Sequence, residues 1–121
     1  MSIHKRKHCN FIQVAINEAN KSLMTKKHGC VIVHNNSILT KGYNYRVYKT
    51  TKSHTKYSIH AEESAILKLN SLRATKTLQT LNMYVVRIQD NELRLSLPCK
   101  KCTELINKNK NLNKIYYTFD N

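Results

Sequence analysis

The sequence predicts an α/β fold, in which one mixed sheet lies between helices on both faces as a three-layer α-β-α sandwich. Three observations support this prediction. Segments with helical spacing of apolar residues alternate with β-rich runs, in the order α-β-β-α-β-α-β. Two asparagines separate the first two β-rich runs, which favours an antiparallel first hairpin. The length of 121 residues suits a single domain over 1–121.

The first half of the chain predicts a helix followed by a β-hairpin. Over 8–24, apolar residues recur at helical spacing and form one stripe. The runs 29–33 and 38–43 favour strands, and Asn35-Asn36 between them suits a tight turn because asparagine tolerates positive φ. The polar and aromatic segment 44–59 predicts a loop. The stripe comprises Phe11, Ala15, Ala19 and Leu23.

The second half predicts a helix over 61–72, a strand over 83–88, a third helix over 99–109 and a last strand over 115–119. Pro98 stands just before the third helix, a position that proline favours. Since the second and third helices each follow a strand, their N-termini emerge at the carboxyl edge of the sheet, where ligands bind in open α/β folds. Two distant segments therefore converge on one point.

Residues at these two helix starts have the spacing of zinc ligands. His60 opens the second helix, and Cys99 and Cys102 open the third. One imidazole and two thiolates leave a fourth position open, as a catalytic zinc requires and a structural zinc does not. Helix N-termini favour thiolates because they carry partial positive charge. Glu62 lies two residues from the histidine, where it can transfer protons without being a ligand.

Two other interpretations of this motif stay open. A closed structural zinc site would take Cys9, Cys30, His28 or His54 as its fourth ligand, although it leaves Glu62 unexplained. A redox pair of Cys99 and Cys102 needs no distant histidine and glutamate.

The cysteines, the N-terminus and the lack of long apolar runs indicate a cytoplasmic protein with reduced thiols. The basic N-terminus is followed by no apolar signal segment, and no apolar run approaches the ~18 residues of a membrane span.

The net charge of +14 suggests an anionic partner, either nucleic acid or a nucleotide phosphate. Lysine and asparagine are both abundant, so an A/T-rich genome is an alternative source of the lysines, although it does not explain the scarcity of acidic residues. In the segment 45–57, tyrosines interleave with cations just before His60. This pattern suits single-stranded nucleic acid, a single nucleotide, or a solvated loop with tyrosines folded onto the core.

The motif His60-Ala61-Glu62, followed after 35 residues by Pro98-Cys99-Lys100-Lys101-Cys102, is the signature of zinc-dependent nucleobase deaminases. With the blocks 27–33 and 42–44, it resembles the cytidine and deoxycytidylate deaminase superfamily. The resemblance implies a cytidine deaminase-like fold and zinc ligation by His60, Cys99 and Cys102. It also implies proton transfer by Glu62 and substrate contacts at Asn44 and Ala61. A strand-end turn is the alternative role for Asn44.

The leading functional prediction is zinc-dependent hydrolytic deamination of cytosine in a nucleoside or nucleotide, giving the uracil product and ammonia. The positive charge favours CMP or dCMP over the uncharged nucleoside. The segment after Cys102 resembles the deoxycytidylate branch, whereas the length of the loop before His60 resembles the tRNA-adenosine deaminases. A deaminase of RNA, tRNA or single-stranded DNA and a non-catalytic zinc-bearing binding module are therefore alternatives. An edge strand at Ile115–Phe119 predicts a homo-oligomer.

Overall fold

The computed structural model describes residues 6–48, 56–72 and 80–118. Three helices and seven strands occur in these ranges. In chain order they are α1 (Arg6–Ala19), β1 (Lys27–His34), β2 (Ser37–Tyr43), β3 (Tyr45–Tyr48), β4 (Lys56–Ile59), α2 (Ala61–Ser71), β5 (Leu81–Gln89), β6 (Glu92–Arg94), α3 (Lys100–Lys108) and β7 (Leu112–Tyr117).

Five strands form the central mixed sheet, in which β1 lies between β2 and β5 and pairs antiparallel with both. Both remaining strands lie along the far side of β5. Strand β7 runs parallel to the first half of β5, and β6 pairs antiparallel with its last three residues. Asn35, in the turn between β1 and β2, has a φ of 49°. The mixed sheet and its antiparallel first hairpin are therefore confirmed.

Side chains alternate along β1 between two separate hydrophobic layers. Cys30 and Ile32 pack with buried residues of α2 and α3, whereas Val31 and Val33 pack with α1. Because successive strand residues point to opposite faces, α1 covers one face of the sheet and the other two helices cover the second face. This arrangement confirms the predicted α-β-α sandwich.

The first helix is shorter than the sequence predicts. It ends at Ala19, and the backbone turns there because the amides of Lys21 and Ser22 bond to the carbonyls of Glu18 and Ala19. Leu23 therefore lies outside the apolar stripe to which the sequence assigns it, and it is fully exposed.

The predicted loop 44–59 was wrong in part, because it contains β3 and β4, which form a separate two-stranded antiparallel sheet. Tyrosine, valine and isoleucine are frequent in these strands, a composition that favours β structure. Residues 49–55, which carry several of the predicted cations and His54, lie outside the described ranges.

Strand β6, also absent from the sequence prediction, forms a hairpin with the end of β5 within the central sheet. Asp90 and Asn91 form its turn with φ values of 54° and 61°, as expected for a two-residue hairpin turn. After β6 the chain reaches Ser96, whose Oγ donates to the carbonyl of Val85 at 2.9 Å. The amide of Ser96 donates to the carbonyl of Thr118 at 3.0 Å, which closes the base of the hairpin.

Strand β7 begins at Leu112, three residues earlier than predicted. Among the described strands, β7 pairs with β5 alone and so lies at a sheet edge, but the homo-oligomer inferred from this edge remains a prediction. In the described part of the chain, no helix is long and apolar enough to cross a membrane. The cytoplasmic location also remains a prediction.

Replacing Gly42 with alanine should destabilise the fold, because a Cβ there would lie 2.5 Å from the carbonyl oxygen of Ala61 and 2.7 Å from the amide of Ala65. Overpacking of this kind costs about 1–3 kcal/mol. Chemical denaturation of Gly42→Ala should show this loss, with exposed Ser37→Ala on the same strand as the control. Equal stability of the two variants would contradict close helix–sheet contact at Gly42.

Candidate active site

Two helix starts bring the predicted zinc ligands together. His60 has extended backbone angles and stands immediately before α2, and Cys99 stands in the same way immediately before α3. The Sγ atom of Cys99 accepts a hydrogen bond from the amide of Cys102 at 3.4 Å, so the thiol caps the first turn of α3. The predicted convergence of the two segments is confirmed, although the strand before α2 belongs to the smaller sheet.

The ligand atoms have the spacing of a shared metal ion. His60 Nδ1 lies 3.5 Å from Cys99 Sγ and 3.3 Å from Cys102 Sγ, and all three atoms lie within 4.8 Å of one another. A tetrahedral zinc with its usual bond lengths separates nitrogen and sulfur ligands by about 3.5 Å. Cys102 is buried and Cys99 is exposed, so the cluster faces solvent on one side. His60, Cys99 and Cys102 therefore fit a zinc ion.

A fourth protein ligand does not join this cluster within the described ranges. Cys9 lies exposed on α1, across the sheet from α2 and α3. Cys30 and His28 lie nearer, but neither belongs to the metal-ligand group. The fourth candidate, His54, lies outside the described residues. The geometry thus favours the three-ligand arrangement of a catalytic site over a closed structural site.

Glu62 is buried in the first turn of α2, with 5% of its surface exposed. Burial raises the pKa of its carboxyl group, although a hydrogen bond from its own backbone amide and the nearby His60 oppose this effect. A raised carboxyl pKa suits a group that must hold a proton during part of a reaction.

Glu63 links the two helix starts. Its Oε1 accepts a hydrogen bond from the His60 amide at 3.3 Å, and its Oε2 lies 3.3 Å from Lys101 Nζ of α3. The sequence indicates only a solvated helix residue here. The sequence does carry a signal for this contact: a glutamate at the third helical position after the cap commonly bonds back to the cap amide.

Cys30 lies in the core directly beside the cluster. Burial is the main reason that its thiol pKa lies well above its usual range, and the charges of Glu62 and Cys102 add to the shift. Its place among buried apolar residues makes it a small core residue, the role that its position in an apolar strand segment favours.

The two predicted substrate-contact residues lie at the same end of the sheet. Ala61 is fully buried in the first turn of α2. Asn44 is also buried, and its side chain accepts a hydrogen bond from the His28 amide at 2.8 Å and donates to the Lys26 carbonyl at 2.7 Å. These bonds join the end of β2 to the start of β1. The substrate contacts of both residues remain predictions.

Comparison with known proteins agrees with this geometry. The sequence profile described as the cytidine and deoxycytidylate deaminase zinc-binding region matches residues 5–119. The chain belongs to this deaminase family. The deaminase is therefore a zinc-dependent hydrolase by family, and His60, Cys99 and Cys102 form its candidate zinc site. No curated protein is significantly similar to it in sequence.

Solved structures show the same fold. The apo dCMP deaminase of cyanophage S-TIM5 is 22% identical, over 91% of this chain and 80% of its own, with a TM-score of 0.65. The cyanophage enzyme in complex with dCMP and dUMP is 21% identical, over 93% of this chain and 82% of its own, with a TM-score of 0.67. At this level of identity the likeness shows the fold alone.

The purified deaminase should contain about one zinc ion per chain if the three-ligand site is correct. His60→Ala, Cys99→Ser and Cys102→Ser should each lower the metal content severalfold, whereas Cys9→Ser should not. Metal analysis by mass spectrometry and the thiolate absorption of cobalt-substituted protein provide the measurements. Full metal occupancy in Cys102→Ser would contradict this assignment.

Proposed function

We propose that the deaminase hydrolyses the exocyclic amine of cytosine in CMP or dCMP and releases ammonia and the corresponding uracil nucleotide. The observation that supports this proposal most directly is the buried carboxyl of Glu62 beside a three-ligand cluster that faces solvent. The cyanophage dCMP deaminase, a structural neighbour that binds dCMP and dUMP, supports the choice of a cytosine nucleotide.

Zinc bound at the cluster supplies Lewis-acid activation of a water molecule. In the proposed reaction Glu62 accepts the proton of the attacking water and passes it to the ring nitrogen beside the amine-bearing carbon. The new C–O bond forms at that carbon, Glu62 then transfers the remaining proton of the new hydroxyl to the amine, and the C–N bond breaks to release ammonia and leave the carbonyl.

Deamination of a base within nucleic acid is the second candidate, and one feature favours it. A cleft of about 540 Å³ lies between the end of α1 and the β2–β3 connection. Tyr43 and Tyr45 line it with ring centroids 5.9 Å apart, and Lys21 and Arg46 add positive charge. Aromatic rings and cations in one groove suit a neighbouring nucleotide of a single strand.

Replacing Glu62 with glutamine should lower kcat for CMP or dCMP by about 10²-fold to 10⁴-fold, because proton transfer is lost while the zinc ligands stay. The matched control is Glu63→Gln, since glutamine preserves the bond to the His60 amide. Ammonia release is measured on zinc-loaded protein with CMP, dCMP, cytidine, deoxycytidine and short oligonucleotides. Equal activity of Glu62→Gln and Glu63→Gln would refute the assigned role, and turnover of oligonucleotides alone would favour the second candidate.

A further inference from the structure

Three basic residues line up across neighbouring strands at the active-site end of the sheet. In the strand register His28 of β1 lies opposite Arg87 of β5, and Arg87 lies opposite Arg94 of β6. Since neighbouring strands are about 4.8 Å apart, this basic row spans about 10 Å. Directly opposed residues of antiparallel strands share one face, so the three side chains leave the sheet on the same side.

The basic row lies on the face that carries the candidate zinc site. His28 shares a face with Cys30, and Arg87 shares a face with Val85, both of which pack in the layer of α2 and α3. Cys30 interacts with the charges of Glu62 and Cys102, and His28 interacts with that of His60. His28 is two residues nearer the strand start, so the basic row lies about 6.6 Å beyond Cys30 along the sheet.

Among the described residues, the charge of Arg87 has no acidic counterpart. No carboxylate among the described residues lies at ion-pair distance from its guanidinium, and its Nε is buried without a hydrogen-bond partner there. Its two terminal nitrogens are held by the carbonyl of Leu95 at 3.5 Å and by Gln89 Oε1 at 2.7 Å. A partly buried guanidinium that has no counter-ion in the described ranges and lies opposite a second arginine is unfavourable for folding alone.

Arg94 is only partly neutralised. Its Nη2 lies 3.0 Å from Glu92 Oε2, but the Glu92 side chain is 68% exposed, so solvent weakens this pair. Burial and the neighbouring charges of Arg87, His60 and Lys26 lower the pKa of His28 to about 4. His28 is therefore a neutral imidazole at pH 7, able to donate one hydrogen bond beside the two permanent arginine cations.

We propose that His28, Arg87 and Arg94 bind a phosphate group of the substrate and thereby select nucleotides over nucleosides. Guanidinium groups held in a fixed orientation match phosphate oxygens through paired, charge-assisted hydrogen bonds. The phosphate is either the 5′-phosphate of a mononucleotide or a phosphodiester of a single strand. This inference rests on the proposed function, since it names the group beside the cytosine that the same site recognises.

The test measures ligand binding separately from turnover. Calorimetry on zinc-loaded full-length protein compares deoxyuridine, dUMP and a short deoxyuridine oligonucleotide, none of which carries an amine to release. The variants are Arg87→Gln and Arg94→Gln, and Lys108→Gln is the control because Lys108 is an exposed cation at the opposite end of the sheet. Steady-state kinetics with dCMP and deoxycytidine follow on the same proteins.

Arg87→Gln should weaken dUMP binding about 10-fold or more, as expected for one lost charge-assisted interaction, and leave deoxyuridine binding within about twofold. Arg94→Gln should show a smaller loss, and Lys108→Gln none. With dCMP, KM should rise while kcat stays close to that of the wild type. A loss with dUMP indicates a terminal phosphate in the basic row, and a loss confined to the oligonucleotide indicates a phosphodiester.

Equal weakening of deoxyuridine and dUMP in Arg87→Gln would overturn the proposal, as would an equal effect of Lys108→Gln. Should Arg87→Gln fail to fold, Arg87→Lys keeps the charge without the paired donors, and affinities for dUMP and for the oligonucleotide that are both unchanged in Arg87→Lys and in Arg94→Gln would also overturn the proposal. Phosphate-dependent binding without turnover of any substrate would support the basic row and refute the proposed function. Turnover by Arg87→Gln with an unaltered preference for dCMP over deoxycytidine would support the proposed function and refute the role of the basic row.

Discussion

Backbone contact between strand β2 and helix α2 sets the position of the active site. Gly42 lies against the first turn of α2, and Gly29 lies against α1 in the same way. These are the two glycines of the chain, and neither has a positive φ, so each is required for its missing side chain. Because His60 immediately precedes the turn that Gly42 touches, this contact determines how far the first metal ligand stands from the sheet.

The cysteine ligands of the site depend on α3 beginning at the same level above the sheet as α2. Cys99 caps this helix with its own thiol, so the residue that fits the metal also starts the element that carries Cys102. The Glu63–Lys101 ion pair then joins the two helix starts from outside the metal cluster. Burial raises the pKa of the Cys102 thiol well above its usual range, so metal binding there is linked to proton release.

Much of the fold and the metal cluster could be predicted because both depend on local signals. Helical spacing, β-rich runs and the spacing between His60 and the cysteine pair are visible in one sequence. Other features depend on partners that the sequence does not reveal. Leu23 continues a helical stripe but lies beyond the turn at Ala19, and β3 needs the distant β4. The basic row depends on strand register, since His28, Arg87 and Arg94 are far apart in the chain but adjacent across the sheet.

Hydrogen bonds from Ser96 to Val85 and to Thr118 hold the chain just after the β5–β6 hairpin, whose strands belong to the central sheet. The hairpin turn at Asp90 and Asn91 lies beyond the pairing of β5 with β1, and it can change in length without shifting Pro98 or the cysteines, because the Ser96 bonds hold the chain between the turn and α3. Loops closed in this way tolerate insertion and deletion at small entropic cost. The hairpin is thus a part of the enzyme in which evolution could alter ligand preference while the reaction centre stayed unchanged.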